Sequence, residues 1–513
     1  MKQKVLLLFS SILLSCGLHA QGEANNWFFG LKAGLTWNTT ETKTLTGILG
    51  TPNASLSGLP TNISSPNMDS YEGCFSVSDT NGQLLFYSDG IRIWDKNHVV
   101  MPNATNLTGD WSSAQSGIII PHPGTSNQNK YIAVTLGAHN ANNLSYSIVD
   151  MNLKGNGTNA NPLGDVVNNK KNILFGNAKG ITGESVTAVQ HANKKHFWII
   201  APGRGTTSYL NVWLVTENGV ESSSPVSSYT IPDAIGTGSI TSIGYIKFTA
   251  DGKRFAWGTN SGSQSLYVGE FDNSTGIFSN VKRIPSTLAG TGPYGLEFTA
   301  SNKYLYLISR PGSGNSQLYI FDVQEILSAS NPGTVSRIVY NAQSASQSGN
   351  AQLGPDGRMY ITQAYQKHIY VVENPEEVSA LKIYRLPLDG TSYCGFPSFV
   401  SSWFSVEIRG ENIFCKDMEQ EFTLNIAASN ILNSLAYTIW DFGDGTSTIK
   451  DDNITSGLQT NRHTYDEAGK YTITIKVYDD SDTEITGQRQ TFDVMVSRCV
   501  MPVNPNIHAY GEL

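Results

Sequence analysis

The sequence predicts an all-β protein, in which a β-propeller of seven blades, or alternatively six, is followed by an immunoglobulin-like β-sandwich. Three observations predict this fold class. A strand, tight turn, strand pattern recurs up to about residue 400, and a compact run of alternating apolar residues follows it. Charged residues make up only 15% of the chain, while Gly, Asn, Ser and Thr are abundant. This composition is typical of many short strands joined by tight turns.

The recurring pattern is clearest in four segments and weaker in two more, which begin near Ser116 and Ser185. The clear copies are residues 73–87, 244–257, 295–306 and 350–361. Asn-Gly or Asp-Gly pairs stand between apolar runs in several copies, and these pairs favour hairpin turns because they tolerate positive φ angles. A third strand is predicted after each hairpin, at 91–94, 144–149, 210–215, 266–271, 318–321 and 369–372. The sequence therefore contains six sheet-sized units.

Units of this size cannot bury both faces alone, so radial stacking as a propeller over residues 21–404 is expected. A seventh unit can be assembled from the two ends of this region. Residues 395–400 repeat the opening strand of a unit, and residues 27–29 with 34–37 supply its other strands. Closure of the ring would bring Cys74 close to Cys394, and we expect a disulfide between them.

The first twenty residues have the three parts of a secretory signal peptide, namely basic Lys2 and Lys4, the apolar run 5–14 and small Ala20 before the cleavage point. Cys16 ends a lipobox-like run, so lipidation there is an alternative. No apolar segment is long enough to span a bilayer as a helix. The sequence therefore predicts Sec export to the cell surface or medium, or alternatively retention in the periplasm or at the outer membrane.

A different strand pattern begins near residue 405. The segments 437–445, 463–465 and 468–477 contain W-x-F-G-D-G, H-x-Y and G-x-Y motifs in order, and this resembles the PKD domain, placed at 405–499 with a tail at 500–513. Cys415 and Cys499 flank this domain and are candidates for a second disulfide. Four cysteines follow the signal peptide and allow three pairings, while no CxxC spacing supports zinc.

Asp441 and Asp444 of the W-x-F-G-D-G motif have two interpretations. They are candidate calcium ligands, or their carboxylates accept hydrogen bonds within a tight turn. The turn interpretation is favoured, so no cofactor is predicted.

A larger resemblance covers nearly the whole chain. Residues 26–30, 72–74, 85–90 and 94–95 look like those of secreted PKD-domain proteins of Bacteroidota. The resemblance implies a propeller-like region before the PKD domain, export that often uses type IX secretion, and links to gliding and adhesion. It implies no particular ligand. The short segment 500–513 departs from the longer sorting domain in which such proteins end, which weakens the case for type IX export.

The charge pattern and the motifs exclude several function classes. The formal net charge is -8 and the basic residues are scattered, so the chain lacks the basic face that nucleic acids require. G-x-S-x-G, H-E-x-x-H and phosphate-binding loop motifs are absent from the sequence. The sequence therefore predicts a binding protein rather than an enzyme.

The candidate ligand site is the propeller mouth, formed by the loops that join the second and third strands of successive units. The side chains predicted to line it are Asp89, His139, Arg204, Asn260, Arg310 and Tyr365. Polar and aromatic groups that converge at a mouth are typical of ligand sites, although Gly-rich loops can also carry solvated arginines.

We expect a binding or adhesion protein whose mouth engages a glycan or a protein, with the PKD domain as a spacer or second contact. The alternatives are a propeller hydrolase, lactonase-like or glycan-active with a channel metal, and a structural subunit of an outer-membrane, secretion or gliding machine.

Overall fold

Strands dominate the computed structural model of the protein. The residues that it describes are 22–139, 141–204, 207–231, 243–260, 264–310, 315–341, 348–404, 406–409, 413–426, 435–452, 458–479, 481–482, 484 and 490–497. The predicted signal peptide with Cys16, the residue Cys499 and the predicted tail at 500–513 lie outside them. Strands account for 51% of the residues and helices for 5%, which confirms the all-β class.

The strands of the region before residue 405 are short, with a few longer exceptions. The first fifteen are β1 (Asn26–Leu31), β2 (Ala33–Ile48), β3 (Ala54–Asn62), β4 (Asp69–Ser70), β5 (Phe75–Ser78), β6 (Leu84–Ser88), β7 (Ile93–Asp95), β8 (Gly117–Pro121), β9 (Lys130–Thr135), β10 (Ser145–Asp150), β11 (Asp165–Val166), β12 (Ile173–Leu174), β13 (Ile181–Thr182), β14 (Thr187–Gln190) and β15 (Phe197–Arg204).

The next strands of this region are β16 (Tyr209–Thr216), β17 (Gly219–Val220), β18 (Ser227–Thr230), β19 (Ile246–Phe248), β20 (Arg254–Gly258), β21 (Leu266–Asp272), β22 (Ile277–Ile284), β23 (Pro293–Phe298), β24 (Tyr304–Ser309), β25 (Gln317–Asp322), β26 (Ile338–Asn341), β27 (Ser348–Leu353), β28 (Met359–Gln363), β29 (Gln366–Val372) and β30 (Ile383–Ser392). The helices are α1 (Ser286–Ala289) and α2 (Val323–Ser328), with 3-10 turns at Gly22–Ala24, Thr125–Asn127, Pro332–Thr334 and Ser401–Phe404. No helix of the described chain is both long and apolar enough to cross a bilayer.

These strands form six open sheets within the described part of the chain. Their orders are β5-β6-β7, then β8-β9-β10-β11 with β12 beside β10, then β13-β15-β16-β17 with β14 beside β15 and β18 beside β16, then β19-β20-β21-β22, then β23-β24-β25-β26, and finally β27-β28-β29-β30-β1-β2-β3 with β4 beside β1. Each of the six repeated units predicted from the sequence thus contributes to a sheet of its own.

The predicted hairpin turns have the backbone that their sequence requires. Gly252 between β19 and β20 has φ +69°, and Gly357 between β27 and β28 has φ +64°. The carboxylate of Asp251 accepts a hydrogen bond from the amide of Lys253 at 3.1 Å, which fixes the first turn. Aspartate and glycine therefore form these turns for the reason expected from the sequence.

The first strands of successive sheets lie side by side. Contacts join β5 to β8, β8 to β14, β14 to β19, β19 to β23 and β23 to β27. The ammonium of Lys247 in β19 lies 3.1 Å from Glu297 in β23 and 2.5 Å from Gln352 in β27, and all three residues are buried. A single buried cation therefore connects three neighbouring sheets.

A closed propeller, of seven blades or of six, is not found among the described residues, and the expected seventh unit is not formed as predicted. Residues 395–400 contain no strand beyond a single bridge at Pro397, and β1 to β3 continue the sheet of β27 to β30. The reason is the length of β30, because one part of it pairs with β1 at Thr391 and another with β2 at Tyr384. The ring of Trp27 nevertheless packs 6.0 Å from that of Phe399.

The predicted disulfide between Cys74 and Cys394 is wrong, because both are free and buried thiols. Their two segments do meet, through a parallel bridge between Cys74 and Pro397 and a hydrogen bond from the amide of Cys394 to the Tyr71 carbonyl at 2.8 Å. Cys394 is therefore out of register with Cys74 by three residues. That offset is roughly 10 Å along a strand, beyond the reach of a disulfide.

The C-terminal region is an immunoglobulin-like sandwich of two sheets. Its strands are β31 (Val406–Arg409), β32 (Ile413–Cys415), β33 (Glu419–Ile426), β34 (Leu435–Asp441), β35 (Ile449–Asp451), β36 (Leu458–Thr464), β37 (Gly469–Asp479) and β38 (Gln490–Ser497). The sheets have the orders β31-β33-β36 and β32-β38-β37-β34-β35. Trp440, Ile473, Ile475 and Val477 are fully buried between them, as alternation along the strands predicts. Cys415 is disulfide-bonded, and its expected partner Cys499 lies outside the described residues.

Candidate functional site

Residues from several sheets lie close together, beside the loops that precede the first strands of these sheets. We call Tyr71, Trp111, Tyr365 and Tyr393 the aromatic shelf, and Glu72, Tyr245, Tyr294 and Arg310 the polar floor. Tyr71 and Glu72 precede β5, Trp111 precedes β8, and Tyr245 precedes β19. Tyr294 lies in β23, and Arg310 follows β24. Tyr365 precedes β29, and Tyr393 follows β30. The site therefore depends on the packing of sheets that are distant in sequence.

The aromatic shelf is centred on Tyr71. The centroid of its ring lies 5.8 Å from that of Trp111, 5.8 Å from that of Tyr365 and 5.7 Å from that of Tyr393. Trp111 is 48% exposed and Tyr365 is 65% exposed, so two rings present broad surfaces to solvent. Exposed aromatic side chains in such a group are unusual unless they contact a partner.

Tyr365 owes its exposure to the turn between β28 and β29. Its φ is +61°, in the left-handed region that a bulky residue rarely adopts. Backbone strain of this kind is concentrated at ligand-binding sites. The turn holds the Tyr365 ring 5.3 Å from that of Tyr393.

Arg310 contacts two other members of the polar floor and the central ring of the shelf. Its guanidinium donates to Glu72 at 2.9 Å and to the hydroxyl of Tyr71 at 2.8 Å, and it lies over the rings of Tyr71 and Tyr294. Burial acts to lower the pKa of Arg310, but its neighbours, with Tyr294 first and Glu72 also among them, more than offset this and raise it. Arg310 is therefore a fixed cation at the base of the shelf.

Glu72 is the counter-ion of Arg310. One carboxylate oxygen accepts hydrogen bonds from the Tyr294 hydroxyl at 2.6 Å and from Arg310, and the other accepts from the Ser112 hydroxyl at 3.3 Å. Burial raises the pKa of Glu72, and the hydrogen bonds from Tyr294 and Arg310 oppose that shift. Both oxygens are thus engaged within the protein.

A second buried carboxylate, that of Glu184, lies beside this group. Its oxygens accept hydrogen bonds from the amides of His139 at 2.7 Å and Ala114 at 3.2 Å. Burial raises the pKa of Glu184 to about 7, and the negative charge of Glu72 acts in the same direction. Glu184 therefore changes its protonation near neutral pH.

The hydroxyl of Tyr245 has no hydrogen-bond partner in the described part of the chain, although the residue is only 1% exposed. Its ring lies 5.4 Å from that of Tyr294, and burial followed by the charge of Glu72 raises its pKa well above the usual value. Buried hydroxyls normally form a hydrogen bond, so Tyr245 is an exception among the described residues.

Two of the six side chains predicted from the sequence, Arg310 and Tyr365, belong to this site. His139 is adjacent to it, because its ring nitrogen Nδ1 lies 3.6 Å from Glu184 and its side chain is 68% exposed. Asn260 is half-buried, and its side-chain oxygen lies beside Gly292, next to the Arg310 carbonyl.

The other two side chains are held elsewhere. Asp89 is fully buried, and its carboxylate accepts hydrogen bonds from the amides of Ile91 and Arg92 and from the Arg92 guanidinium. Arg204 ends β15, where its backbone pairs with Ile181 of β13. Their predicted role in ligand binding stays a prediction.

Glu72, Glu184, Tyr245 and Tyr294 were not predicted from the sequence. All four precede the first strand of a sheet or lie at its start. A comparison of the residues around the starts of these strands, rather than of the loops between second and third strands, would have included all four.

Within the described residues, no group of three or more His, Cys, Asp or Glu side chains could hold a metal ion. In the C-terminal sandwich, the Asp441 carboxylate accepts from the Gly443 amide at 2.9 Å, and that of Asp444 accepts from the Thr446 amide and from His463. The carboxylates thus take part in the turn hydrogen bonds that the sequence favoured.

Comparison with known families identifies the C-terminal part of the chain. Residues 405–496 match the PKD domain family. A search of curated proteins finds no relative of the chain.

Proposed function

We propose that this protein, in which residues 405–496 form a PKD domain, binds glycans through the aromatic shelf and the polar floor. We further propose that it is exported through its signal peptide and acts at the cell surface or in the medium, as an adhesion protein of the kind found among secreted PKD-domain proteins of Bacteroidota. The PKD domain acts as a spacer or second contact.

The observation that carries the proposal is the combination of exposed rings with a buried polar base. Tyr365 and Trp111 expose flat apolar surfaces. The ring of Tyr71 contacts both of them, and its hydroxyl accepts a hydrogen bond from Arg310. Sugars have apolar faces that stack on aromatic rings and hydroxyl groups that require directional hydrogen bonds. A few well-placed polar groups within an aromatic surface are typical of small-ligand sites.

A propeller-like arrangement of the six sheets around a common axis is part of the proposal. The contacts between successive first strands support it, as do the hydrogen bonds from Cys394 to Tyr71 and from Ser398 to Cys74. In such an arrangement, the loops before the first strands and the loops after the second strands surround the same end of the axis. Tyr71, Glu72 and Tyr245 lie in loops of the first kind, and Arg310 and Tyr365 lie in loops of the second kind.

A binding role is favoured over hydrolysis because the two carboxylates have no free oxygen. Glu72 accepts three hydrogen bonds from the protein, and Glu184 accepts two from backbone amides. A general acid or nucleophile must reach the substrate. Both side chains are at least nine-tenths buried, which leaves the exposed rings as the groups that contact a ligand.

A glycan is favoured over a protein because the exposed apolar surface is small. Trp111 and Tyr365 are the large exposed side chains of the shelf, whereas a stable protein interface needs about 800 Å² on each partner with an apolar centre. A polysaccharide chain needs only a few stacked sugar rings.

The experiment is a glycan array with the mature chain, followed by calorimetry on the best oligosaccharide. Tyr365→Ala and Trp111→Ala should each lower its affinity about fivefold or more, because a stacked ring contributes about 1 kcal/mol. Ile277→Ala is the matched control, since Ile277 is 54% exposed but belongs to the hairpin of β21 and β22. Unchanged affinity in both shelf variants would reject the site, and binding of a protein but no glycan would reject the ligand class.

A further inference from the structure

We propose that the buried side chains of Lys247 and Gln352 join in a covalent isopeptide bond, and that Glu297 assists its formation. Lys247 lies in β19, Glu297 in β23 and Gln352 in β27. The bond therefore cross-links the first strands of two sheets across the first strand of the sheet between them. This modification of the core is independent of glycan binding.

The reacting groups lie within contact distance of one another. The nitrogen Nζ of Lys247 is 3.1 Å from Oε2 of Glu297 and 2.5 Å from Oε1 of Gln352. A carbonyl bond is about 1.2 Å long, so Nζ lies within about 3.7 Å of the carboxamide carbon Cδ of Gln352. Groups that are poised to react are about 3–3.5 Å apart. The amine therefore needs only a small movement to reach this carbon.

Neighbouring backbone groups orient the carboxamide and the carboxylate. Nε2 of Gln352 donates a hydrogen bond to the Leu353 carbonyl at 3.2 Å, and its Oε1 faces Lys247. Oε1 of Glu297 accepts from the Phe298 amide at 3.0 Å, and its Oε2 faces the amine. The terminal torsion of a glutamine side chain has a broad range, so rotation of the carboxamide can present its face to Nζ.

The choice of lysine for this buried ion pair distinguishes it from others in the protein. Lys247 is 6% exposed, and it is the only lysine among the buried residues of the described chain. The buried carboxylates of Glu72 and Asp356 are instead paired with arginine. Arginine cannot lose its proton in a protein, whereas lysine can, and its neutral amine is a nucleophile. Lysine is therefore the residue type that the reaction requires.

The reaction begins with a proton transfer from the Lys247 ammonium to Oε2 of Glu297. The lone pair of Nζ then attacks Cδ of Gln352, and the Nζ–Cδ bond forms while the carbonyl π electrons move to Oε1. When the carbonyl forms again, the Cδ–Nε2 bond breaks, and Nε2 leaves as ammonia with a second proton from Nζ that Glu297 relays. The products are a secondary amide, ammonia and a neutral Glu297, so atoms and charges balance without an oxidant.

The surroundings favour these neutral products. The three reacting side chains belong to residues that are at most 7% exposed, and the cavity beside them is lined in part by Phe248, Phe298 and Phe399. Burial raises the pKa of Glu297, and the charge of Lys247 opposes that shift until the amide forms. Conversion of two buried ions into an amide and a carboxylic acid therefore lowers the cost of their burial.

The cavity can receive the leaving group. Its volume is about 20 Å³, and Lys247, Glu297 and Gln352 all line it. A cavity of about 10–15 Å³ is sufficient for one water molecule, and ammonia is similar in size. The departing ammonia therefore has space beside the carbon that it leaves, and its escape into solvent prevents the reverse reaction.

Peptide mapping of the purified chain by mass spectrometry tests the proposal. Trypsin requires a free lysine side chain, so it should not cleave after Lys247. Segments 205–253 and 338–358 should instead be recovered as one linked peptide, lighter by one ammonia than the two separate peptides together. Fragmentation of this peptide should place the link between Lys247 and Gln352.

Glu297→Gln removes the proton acceptor but keeps the shape of the side chain. It should lower the linked fraction at least tenfold in protein that is folded by circular dichroism. Glu184→Gln is the matched control, because Glu184 is also buried, at 2% exposed, but its carboxylate binds the amides of His139 and Ala114. This control should leave the linked fraction unchanged.

The digest of the parent protein decides the proposal even where a variant does not fold. Complete cleavage after Lys247 in the parent protein would overturn it, as would a link from Lys247 to Glu297 with loss of water. A linked fraction in folded Glu297→Gln equal to that of the parent would overturn the role of Glu297.

Discussion

The guanidinium of Arg310 lies 2.9 Å from the carboxylate of Glu72, although 238 positions separate the two residues. Glu72 precedes the first strand of the β5-β6-β7 sheet, and Arg310 follows the second strand of the β23-β24-β25-β26 sheet. The Glu72 side chain is buried, and the Arg310 side chain is 14% exposed. The pair therefore links sheets that are far apart in sequence and also forms the base of the proposed glycan site.

Arg310→Ala should destabilise the protein strongly, because it leaves the buried charge of Glu72 without its cationic partner. The expected loss is about 3–5 kcal/mol of unfolding free energy, measured by denaturant titration. The double variant Glu72→Gln with Arg310→Ala should recover part of that loss. Arg462→Ala is the matched control, because Arg462 also lies 2.9 Å from a carboxylate, that of Glu421, but is exposed and should matter little. Equal effects of Arg310→Ala and Arg462→Ala would contradict the prediction.

Glu184 should make stability depend on pH between about 4.5 and 7. Its pKa is raised from 4.5 to about 7 by burial, so the folded protein binds a proton that the unfolded chain releases in this range. The stabilisation is complete below pH 4.5 and is lost as pH rises through 7, a difference of roughly 3 kcal/mol. The Gln side chain of the Glu184→Gln variant cannot titrate. The variant should therefore lack this pH dependence when its unfolding free energy is measured at pH 5 and at pH 8. Parallel pH profiles of the two proteins would show that Glu184 is not the group responsible.

Cys74 and Cys394 should resist alkylation in the native protein. Both thiols are buried, and burial raises the pKa of Cys394 to about 11, so little reactive thiolate forms at neutral pH. Mass spectrometry after iodoacetamide should find both unmodified in the native state and both modified after denaturation without reductant, whereas Cys415 should need reduction first. A peptide that contains Cys74 linked to Cys394 would refute the free-thiol assignment.

Asp444 should stabilise the PKD domain through hydrogen bonds. Burial acts to raise the pKa of Asp444, but the bonds from Thr446 and His463 outweigh it, so the pKa is lowered. Its stabilisation is therefore present above pH 4 and is lost as pH falls below that value. Asp444→Ala should lower the unfolding free energy by about 1–3 kcal/mol, equally with calcium and with chelator. A melting temperature of the parent protein that rises sharply with calcium would instead favour a metal site.

Local patterns in the sequence were sufficient to predict the hairpins and the sandwich. Asp251-Gly252 and Asp356-Gly357 form turns because their side-chain and φ preferences act within a few residues. The inward positions of Ile473, Ile475 and Val477 follow from the alternation of side chains along a strand. Neither result requires knowledge of distant parts of the chain.

The candidate site could be predicted only in part. Arg310 and Tyr365 were identified because they lie in the loops between the second and third strands of their units. Glu72, Glu184 and Tyr245 were not identified as site residues, because their roles come from burial and from partners more than forty residues away. The error on Cys74 and Cys394 has the same origin, since a three-residue offset in register is set by packing.

The sequence by itself determined the all-β class, the positions of the tight turns and the PKD domain, because these depend on short-range preferences and on motifs. Tertiary structure decided that β1 to β3 join β30, that two cysteines stay reduced, and that a buried ion pair supports an exposed group of aromatic rings. These features depend on which strand edges and side chains meet in space. Such contacts are fixed by the packing of whole sheets, and no local stretch of the chain encodes them.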